Sequence, residues 1–298
     1  MTYHTQPRLF VTGSTGELGR LVIEELLNRV PANSIVAGVR SPDHEMAKHF
    51  SARGVEIRVA DYSRPESLSS AFEGIDRLLM ISSTAGANRV AQHHNVINAA
   101  KAANVGLVAY TSLLHADQAT SGLGEDHILT EAALRTSGLP FVLLRHGWYV
   151  ENHTLSVPPA LQYGAVIGSA GLGRFSSATR ADYAAADSVV LTLDGQEGRV
   201  YELAGDESYD LADLANTIAS AAGRPVTYQD MPKAKFKQAL IGMGLPDSLA
   251  ELIAESDVAA SRRELEDHGR QLRALLGRPT TPYREAIEAV GRVANFSV

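Results

Sequence analysis

The chain has 298 residues, 45% of them hydrophobic, enough to bury a large core in one large domain or in one domain with a smaller lobe. A formal net charge of −7 argues against the broad basic surface that binding a phosphate backbone requires, so nucleic acid is a poor partner. Without cysteine there can be no disulfide, thiolate nucleophile, dithiol redox pair or cysteine-ligated metal.

The first residues, Met1 to Gln6, are polar, and the next apolar run is only Leu9 to Val11. The expectation is a cytoplasmic protein without signal peptide or membrane span. From Leu9 to Arg145, short aliphatic runs alternate with segments of helical period. The runs are Leu9–Val11, Ile35–Val39, Ile57–Val59, Leu78–Ile81, Leu107–Tyr110 and Phe141–Leu144. This is the pattern of repeated βαβ units with a parallel sheet covered on both faces. Between them, Leu18, Leu21, Val22 and Leu26 form one apolar stripe with Glu25 and Arg29 on the other side. Beyond Arg145, Pro158-Pro159 and Gly164, Gly168, Gly171 and Gly173 punctuate a stretch that reads as irregular until Val200–Leu203 resumes a strand. Helical stretches follow near Leu211–Ala222, Ala234–Met243, Asp247–Ser256 and Gln271–Leu276, with a short strand at Val226–Tyr228. The predicted architecture is α/β: a Rossmann-type doubly wound parallel sheet with a smaller mixed α/β C-terminal lobe. Residues 1–150 form the dinucleotide domain, with later segments returning to its sheet, and 151–298 form the substrate-binding lobe.

The first strand ends at Thr12, and Gly13-Ser14-Thr15-Gly16-Glu17-Leu18-Gly19 leads directly into an amphipathic helix. Gly13 can turn sharply off the strand, Gly16 lets the backbone approach a pyrophosphate, and Gly19 lets the helix pack closely on the sheet. The helix N-terminus supplies N–H donors to an anion. The competing reading is three glycines in an ordinary turn; the strand before and the helix after favour a nucleotide site.

Strand ends add to that site. The second ends in Gly38-Val39-Arg40, where an NAD-selective protein presents a carboxylate to the adenosine ribose. A guanidinium there favours a 2′-phosphate, hence NADPH over a tolerated NADH; the alternative is a solvated arginine. Asp61-Tyr62 follows the third strand and can reach adenine, with helix capping as the competing role for Asp61. Ser82, Ser83 and Thr84 close the fourth strand, and Thr111 and Ser112 the fifth, near the expected path of the ribose and phosphates.

Short-chain dehydrogenases that interconvert alcohols and carbonyls use a Tyr-x-x-x-Lys pair for the proton. This chain has none. Its fifth helix carries His127 and Glu131 one turn apart, a catalytic dyad or a surface pair; no third ligand converges to make a metal site. Hydride transfer without a demanding acid suits an acceptor that is already electron-poor, such as a quinone, whose product anion is aromatic. Trp148 and Tyr149, just past the sixth strand, offer flat faces for a flat ring, with core packing as the competing role for Trp148. Phe236 is a candidate for the far wall.

Several longer blocks carry a family resemblance: Thr12–Gly19, Ala60-Asp61-Tyr62, Asn95–Ala103, Tyr110–Asp117, Arg145-His146-Gly147-Trp148-Tyr149-Val150-Glu151-Asn152, Ala178–Ala186 and Tyr201–Asp206. In these the chain resembles the NmrA-like branch of atypical short-chain dehydrogenase/reductases, and within it the bacterial type 2 NAD(P)H:quinone oxidoreductases. The resemblance implies a flavin-free, metal-free enzyme reducing quinones or similar electron-poor aromatics with NADPH. It also implies Arg145 at the cofactor, and His146, Trp148, Tyr149 and Asn152 at an acceptor cleft between two lobes. His146 departs from the pattern, which has asparagine there, and an imidazole can alter substrate choice or pH dependence. A homo-oligomer is compatible with the sequence. Two other readings remain open: a redox sensor that binds NADP(H) without turnover, and a carbonyl or sugar reductase or epimerase, which the missing tyrosine–lysine pair disfavours. The claim for Arg40 is checked by comparing KM for NADPH and NADH in wild type and Arg40→Ala. Loss of NADPH selectivity is expected, and unchanged selectivity removes the claim.

Overall fold

A computed structural model describes residues 6–83, 88–120 and 122–295. The chain divides into two compact units. The first comprises Met1–Ser112, Asp126–Arg145 and Tyr183–Tyr201; the second comprises Leu113–Glu125, His146–Asp182 and Glu202–Val298.

The seven-stranded sheet contains β1 (Leu9–Val11), β2 (Ile35–Val39), β3 (Glu56–Val59), β4 (Arg77–Met80), β5 (Leu107–Leu113), β6 (Phe141–His146) and β9 (Val200–Leu203). Their spatial order is β3-β2-β1-β4-β5-β6-β9, with parallel registers such as Val11 opposite both Ala37 and Leu79. The chain winds one way from β1 to β3 and the other way from β4. Ligands bind outside the carboxyl ends of such strands, at the point where the order reverses, between β1 and β4. Strands β1 and β2 are wholly buried, as their unbroken apolar runs predict; β3 at the edge is half exposed. Helices α1 (Glu17–Leu27), α2 (Glu45–Ala52), α3 (Pro65–Ala71), α4 (Arg89–Ala102) and most of α5 (Glu125–Ser137) complete this unit, with the greater part of α8 (Arg180–Thr192). Helix α1 turns Leu18, Val22 and Leu26 inward as expected from the sequence, with Ile23 buried beside them and Leu21 only half-buried.

Strand β5 corrects the sequence reading: Thr111 and Ser112 lie within it rather than closing it. Their polar groups are satisfied inside the fold. Thr111 Oγ1 accepts the Ser82 N–H at 2.9 Å and the Ser112 hydroxyl donates to Glu131 at 2.6 Å, so the strand continues through them at no desolvation cost. The stretch read as irregular is also more regular than expected. Pro158-Pro159 stand in the first turn of α7 (Val157–Tyr163), where a missing N–H costs no helical bond. Gly164 ends that helix in the left-handed region (φ 73°), and β7 (Ala165–Gly168) follows.

In the second unit β7 pairs in parallel with β11 (Thr227–Asp230), and β8 (Arg174–Phe175) pairs antiparallel with β10 (Tyr209–Asp210). The other elements are α6 (Val150–Thr154), α9 (Leu211–Ala222), α10 (Lys233–Gly242), α11 (Asp247–Ser261), α12 (Gln271–Leu276) and α13 (Tyr283–Asn295). Asp210 caps α9 reciprocally: its side chain accepts the Asp213 N–H at 2.7 Å while the Asp213 carboxylate accepts the Asp210 N–H. The core gathers Trp148, Phe175, Tyr209, Leu214, Ile218, Tyr283 and Ile287, with Tyr209 and Tyr283 stacked at 3.8 Å.

One buried polar group in the first unit is absent from the sequence reading. His93 points inward from α4 beside Val96, Ile97 and Ala100, and is fully buried. Its Nε2 accepts the Ser83 N–H at 3.0 Å, and its Nδ1 lies 2.8 Å from the Thr130 hydroxyl on α5. That hydroxyl donates to the Asp126 carbonyl at 2.8 Å and so accepts from Nδ1–H, which fixes a neutral tautomer. Burial, reinforced by the charges of Arg89 and His94, pushes His93 down to about 3. An unfolded histidine titrates near 6.5, so on acidification the unfolded chain takes up a proton that the folded chain refuses. Stability is full above pH ~6.5 and falls below it by up to about 1.4 kcal/mol per pH unit from this residue. Gln can keep the acceptor toward Ser83 and the donor toward Thr130. Urea unfolding of wild type and His93→Gln between pH 6.5 and 4.5 should give a shallower loss in the variant by about that amount; equal slopes would show that His93 is not the titrating group.

Candidate active site

The β1–α1 turn is built by close backbone packing. Gly13 takes a left-handed φ of 57°, and a Cβ on Gly19 would sit 2.3 Å from the Gly13 carbonyl oxygen. No side chain fits there, so the helix start is pressed against the strand end. Ser14 is buried, its N–H donating to the Gly38 carbonyl at 3.1 Å and its hydroxyl to the Val11 carbonyl at 2.7 Å. These bonds tie the turn to β2. Thr15 is half-buried and Leu18 is part of the core, while Glu17 is exposed and accepts from Arg20 at 2.8 Å. The helix N-cap is Gly16, which has no side chain to serve the first-turn N–H groups. Those donors have no acceptor within the helix and suit an anion.

At the end of β2, Arg40 is exposed and makes no ion pair among the described residues. Its charge is available to a phosphate. Asp61 after β3 is engaged locally: one carboxylate oxygen accepts the Ser63 N–H at 2.9 Å and hydroxyl at 2.5 Å, the other accepts Arg64 Nε at 3.1 Å. These bonds, Ser63 first, hold its carboxyl below the usual carboxylate range. These contacts make a local turn rather than the helix cap given as the competing role for Asp61, since the N-cap of α3 is Arg64. Tyr62 turns its phenol inward to Thr12 Oγ1 (2.6 Å) and the Ile81 carbonyl (2.8 Å), and burial pushes its pKa up. After β4, the Ser82 and Ser83 N–H groups are held by Thr111 and His93, and the buried Ser83 hydroxyl has no partner among the described residues. Thr84 lies outside the described residues. An N-terminal turn without a cap, a free guanidinium at β2 and an orphaned hydroxyl at β4 all fit a phosphorylated dinucleotide at the carboxyl ends of these strands.

His127 and Glu131 do not partner each other through any of their resolved bonds. His127 Nδ1 lies 2.9 Å from the Tyr110 hydroxyl. Glu131, buried at 5% exposure, receives a two-pronged pair from Arg145: Nε to Oε1 at 2.9 Å and Nη2 to Oε2 at 2.7 Å. Ser112 adds a third donor, and the half-exposed Arg135 approaches Glu131 to 3.7 Å. The result is a buried, charge-balanced staple joining β5, α5 and β6. The resemblance implies Arg145 at the cofactor; in the structure its guanidinium is turned to Glu131 and braces the ends of β5 and β6. Among the described residues no group of three or more His, Asp or Glu could hold a metal.

Past β6, Trp148 is 6% exposed within the core of the second unit, and Phe236 packs against Leu240, Ala250 and Ala254 between α10 and α11. Both rings therefore serve packing. His146 and Tyr149 form a pair, with Nδ1 3.3 Å from the phenol oxygen. Asn152 Oδ1 accepts from Arg180 Nη2 at 2.8 Å, and the Arg180 guanidinium lies over the Tyr149 ring, 4.6 Å from its centroid. Neither His93 nor Arg180 was singled out from the sequence. The signal for His93 was one polar residue on an otherwise apolar helix face; Arg180 sat in a similar block without local pattern.

The comparisons with known proteins agree with the fold. Residues 13–186 match the NAD(P)H-binding family. Over 285 residues the chain is 49% identical to quinone oxidoreductase 2 of Escherichia coli (strain K12), covering 96% of this chain and 99% of that one. The fold matches the crystal structure of the E. coli NADPH-dependent quinone oxidoreductase complexed with NADPH at a TM-score of 0.91, covering 95% of this chain and 99% of that one. Triphenylmethane reductase of Citrobacter, complexed with NADP(H), matches at 0.89 with 35% identity over 95% of this chain and 99% of that one. The chain belongs to the NAD(P)H-binding, NmrA-like family of short-chain reductases that includes the bacterial type 2 quinone oxidoreductases.

Proposed function

We propose that the protein is an NADPH-dependent two-electron reductase of quinones and similarly electron-poor aromatic acceptors, acting without flavin or metal. The observation that carries the reading is the nucleotide cradle at Gly13–Gly19 with the free Arg40 beside it, in a chain that shares 49% identity over 96% of its length with a quinone oxidoreductase. Gly16 and the first turn of α1 would hold the pyrophosphate, Arg40 the 2′-phosphate, and Ser82 and Ser83 the ribose-proximal phosphate path. NADPH supplies the hydride.

What the protein adds is position. Thr111, Ser112 and Arg145 are locked into the sheet by Ser82, Glu131 and each other's neighbours, so the ends of β4, β5 and β6 form a rigid rim. A rigid rim fixes donor against acceptor, and proximity supplies most of what a hydride transfer to a quinone requires. The polar groups of α5 are spent in that bracing. The His127 ring is turned to Tyr110 and the Glu131 carboxylate to Arg145, which leaves no tyrosine–lysine pair to protonate an ordinary alcohol oxygen. This supports acceptors whose reduced form is a stabilised anion.

The test is turnover. Purified protein, freed of flavin and chelated, should oxidise NADPH with a panel of quinones well above the rate without protein, and should leave simple ketones and aldehydes unreduced. Absence of quinone-dependent NADPH oxidation would sink the reading, and equal turnover of simple ketones would sink its acceptor class.

A further inference from the structure

The second unit holds a cavity lined by its own residues alone. Its volume is about 520 Å³, within the range of small-molecule sites, and it lies at the carboxyl ends of the parallel pair β7 and β11, where Gly168 stands opposite Asp230. Ser169 to Arg174 line one side, Asp230 another, and Ser261, Arg263 and Glu266, at and past the end of α11, the third. The lining loop is held in shape by the fold. The Ser169 N–H donates to Asp257 Oδ2 at 2.7 Å, the Gly171 N–H to Asp230 Oδ1 at 2.9 Å, and the Gly173 N–H to the Ala170 carbonyl at 2.7 Å. Gly171 is left-handed at φ 56°, and a Cβ on Gly173 would lie 2.5 Å from the Ala260 carbonyl carbon.

Several polar groups of the lining are already engaged. Arg174 donates through Nε to the Ser208 hydroxyl at 2.9 Å and lies 3.5 Å from Asp213, Glu266 accepts from the Ser208 hydroxyl at 2.7 Å, and the Ser261 hydroxyl donates to the Val258 carbonyl at 2.7 Å. Three groups are not. Ser169 Oγ is buried without a hydrogen-bond partner among the described residues, a condition that native folds rarely leave standing. Asp230 Oδ1 accepts the Tyr228 hydroxyl at 2.7 Å besides the Gly171 N–H, whereas its Oδ2 makes no hydrogen bond among the described residues. Arg263 is exposed and pairs with no carboxylate among them. It also holds its place at a cost. Arg263 follows α11 in the left-handed region, φ 62°, and the Glu264 N–H donates to the Ala259 carbonyl at 3.0 Å to close the helix end. Glycine suits this position because it has no Cβ to strain, so an arginine here trades backbone ease for a guanidinium on the cavity wall.

We propose that this cavity binds a small zwitterion of the α-amino acid class, its carboxylate on Arg263 and the Ser169 hydroxyl and its ammonium on Asp230 Oδ2. The two arginines and two acids of the lining cancel in formal charge, which suits a ligand that carries both signs and no net charge. A guanidinium matches a carboxylate through two parallel bonds. A phosphate dianion would set its charge against Asp230 and Glu266, and a simple amine would leave Arg263 unpaired. Leu172, 91% exposed at the tip of the loop, gives the mouth an apolar edge along which an aliphatic side chain can lie. The proposal does not depend on the quinone-reductase reading.

The test is a titration of the ¹⁵N-labelled full chain, followed through the backbone amide signals of Ser169–Gly173. Three probes are compared: L-leucine, isocaproate, which lacks its amino group, and isoamylamine, which lacks its carboxylate. L-leucine should shift these signals saturably and bind about tenfold or more tightly than either analogue, since each analogue forfeits one charged pair. Arg263→Gly should raise Tm by about 2 °C through the relaxed helix end and abolish binding. Arg263→Gln, which keeps the left-handed side chain, should weaken binding about tenfold or more with Tm little changed. Asp230→Asn should erase the preference for L-leucine over isocaproate. The proposal is overturned if L-leucine causes no saturable shift of these amides, or if binding survives Arg263→Gly undiminished. Equal affinity of the wild type for L-leucine and isocaproate overturns the zwitterion as the ligand class. None of these outcomes bears on quinone turnover, so the two readings stand or fall separately.

Discussion

Thr12 is where the structure is pinned. Its hydroxyl donates to the Leu79 carbonyl at 3.0 Å and accepts the Ile81 N–H at 2.9 Å, while the Tyr62 phenol lies 2.6 Å away. The residue stands at the carboxyl end of β1, where the winding of the sheet reverses and the strands on either side part. Parting strands leave backbone groups without ladder partners, and such groups cannot be buried unsatisfied. A single side-chain oxygen serves two backbone groups here and accepts from the Tyr62 phenol besides. The phosphate-binding turn begins one residue later, so the turn inherits a start held from β3 and β4 as well as from β1.

The same economy recurs across the rim. Thr111 receives the Ser82 N–H, His93 receives the Ser83 N–H, and Glu131 gathers Ser112 and Arg145. Each bond satisfies a buried polar group at the place where the next strand ends. A buried ion pair is not by itself a source of stability, because the desolvation of two charges offsets their attraction. The bidentate Arg145–Glu131 pair instead fixes orientation, since its two parallel bonds permit only one geometry. Rigidity at this rim is what a hydride transfer needs, and here it comes from polar side chains bonded to one another.

Much of this was legible in the sequence, for reasons that can be named. Strands covered on both faces must be apolar throughout, so β1 and β2 read directly. The glycine turn read because a left-handed Gly13 and a Gly19 without room for a Cβ leave no other residue type. What did not read was polarity turned inward. Thr111 and Ser112 look like the start of a loop, and only their partners, 29 residues earlier and 19 later, show that they are strand. Pro158-Pro159 look like a break and are a helix start. Trp148 and Phe236 look like faces for a ligand and are core, because aromatic rings serve both ends and one sequence carries no burial.

Among all the groups at the nucleotide site, Arg40 differs in having nothing to hold up. Gly13, Gly19, Ser14, Thr12 and Tyr62 are each fixed by the packing of at least one neighbouring strand, whereas Arg40 extends from β2 into solvent and makes no ion pair among the described residues. On the proposed reading, the fold and the choice between two nearly identical cofactors are written in separate residues. If Arg40 holds the 2′-phosphate, a lineage can exchange one reducing currency for the other through a surface substitution that leaves folding untouched, while the closely packed glycine turn cannot drift.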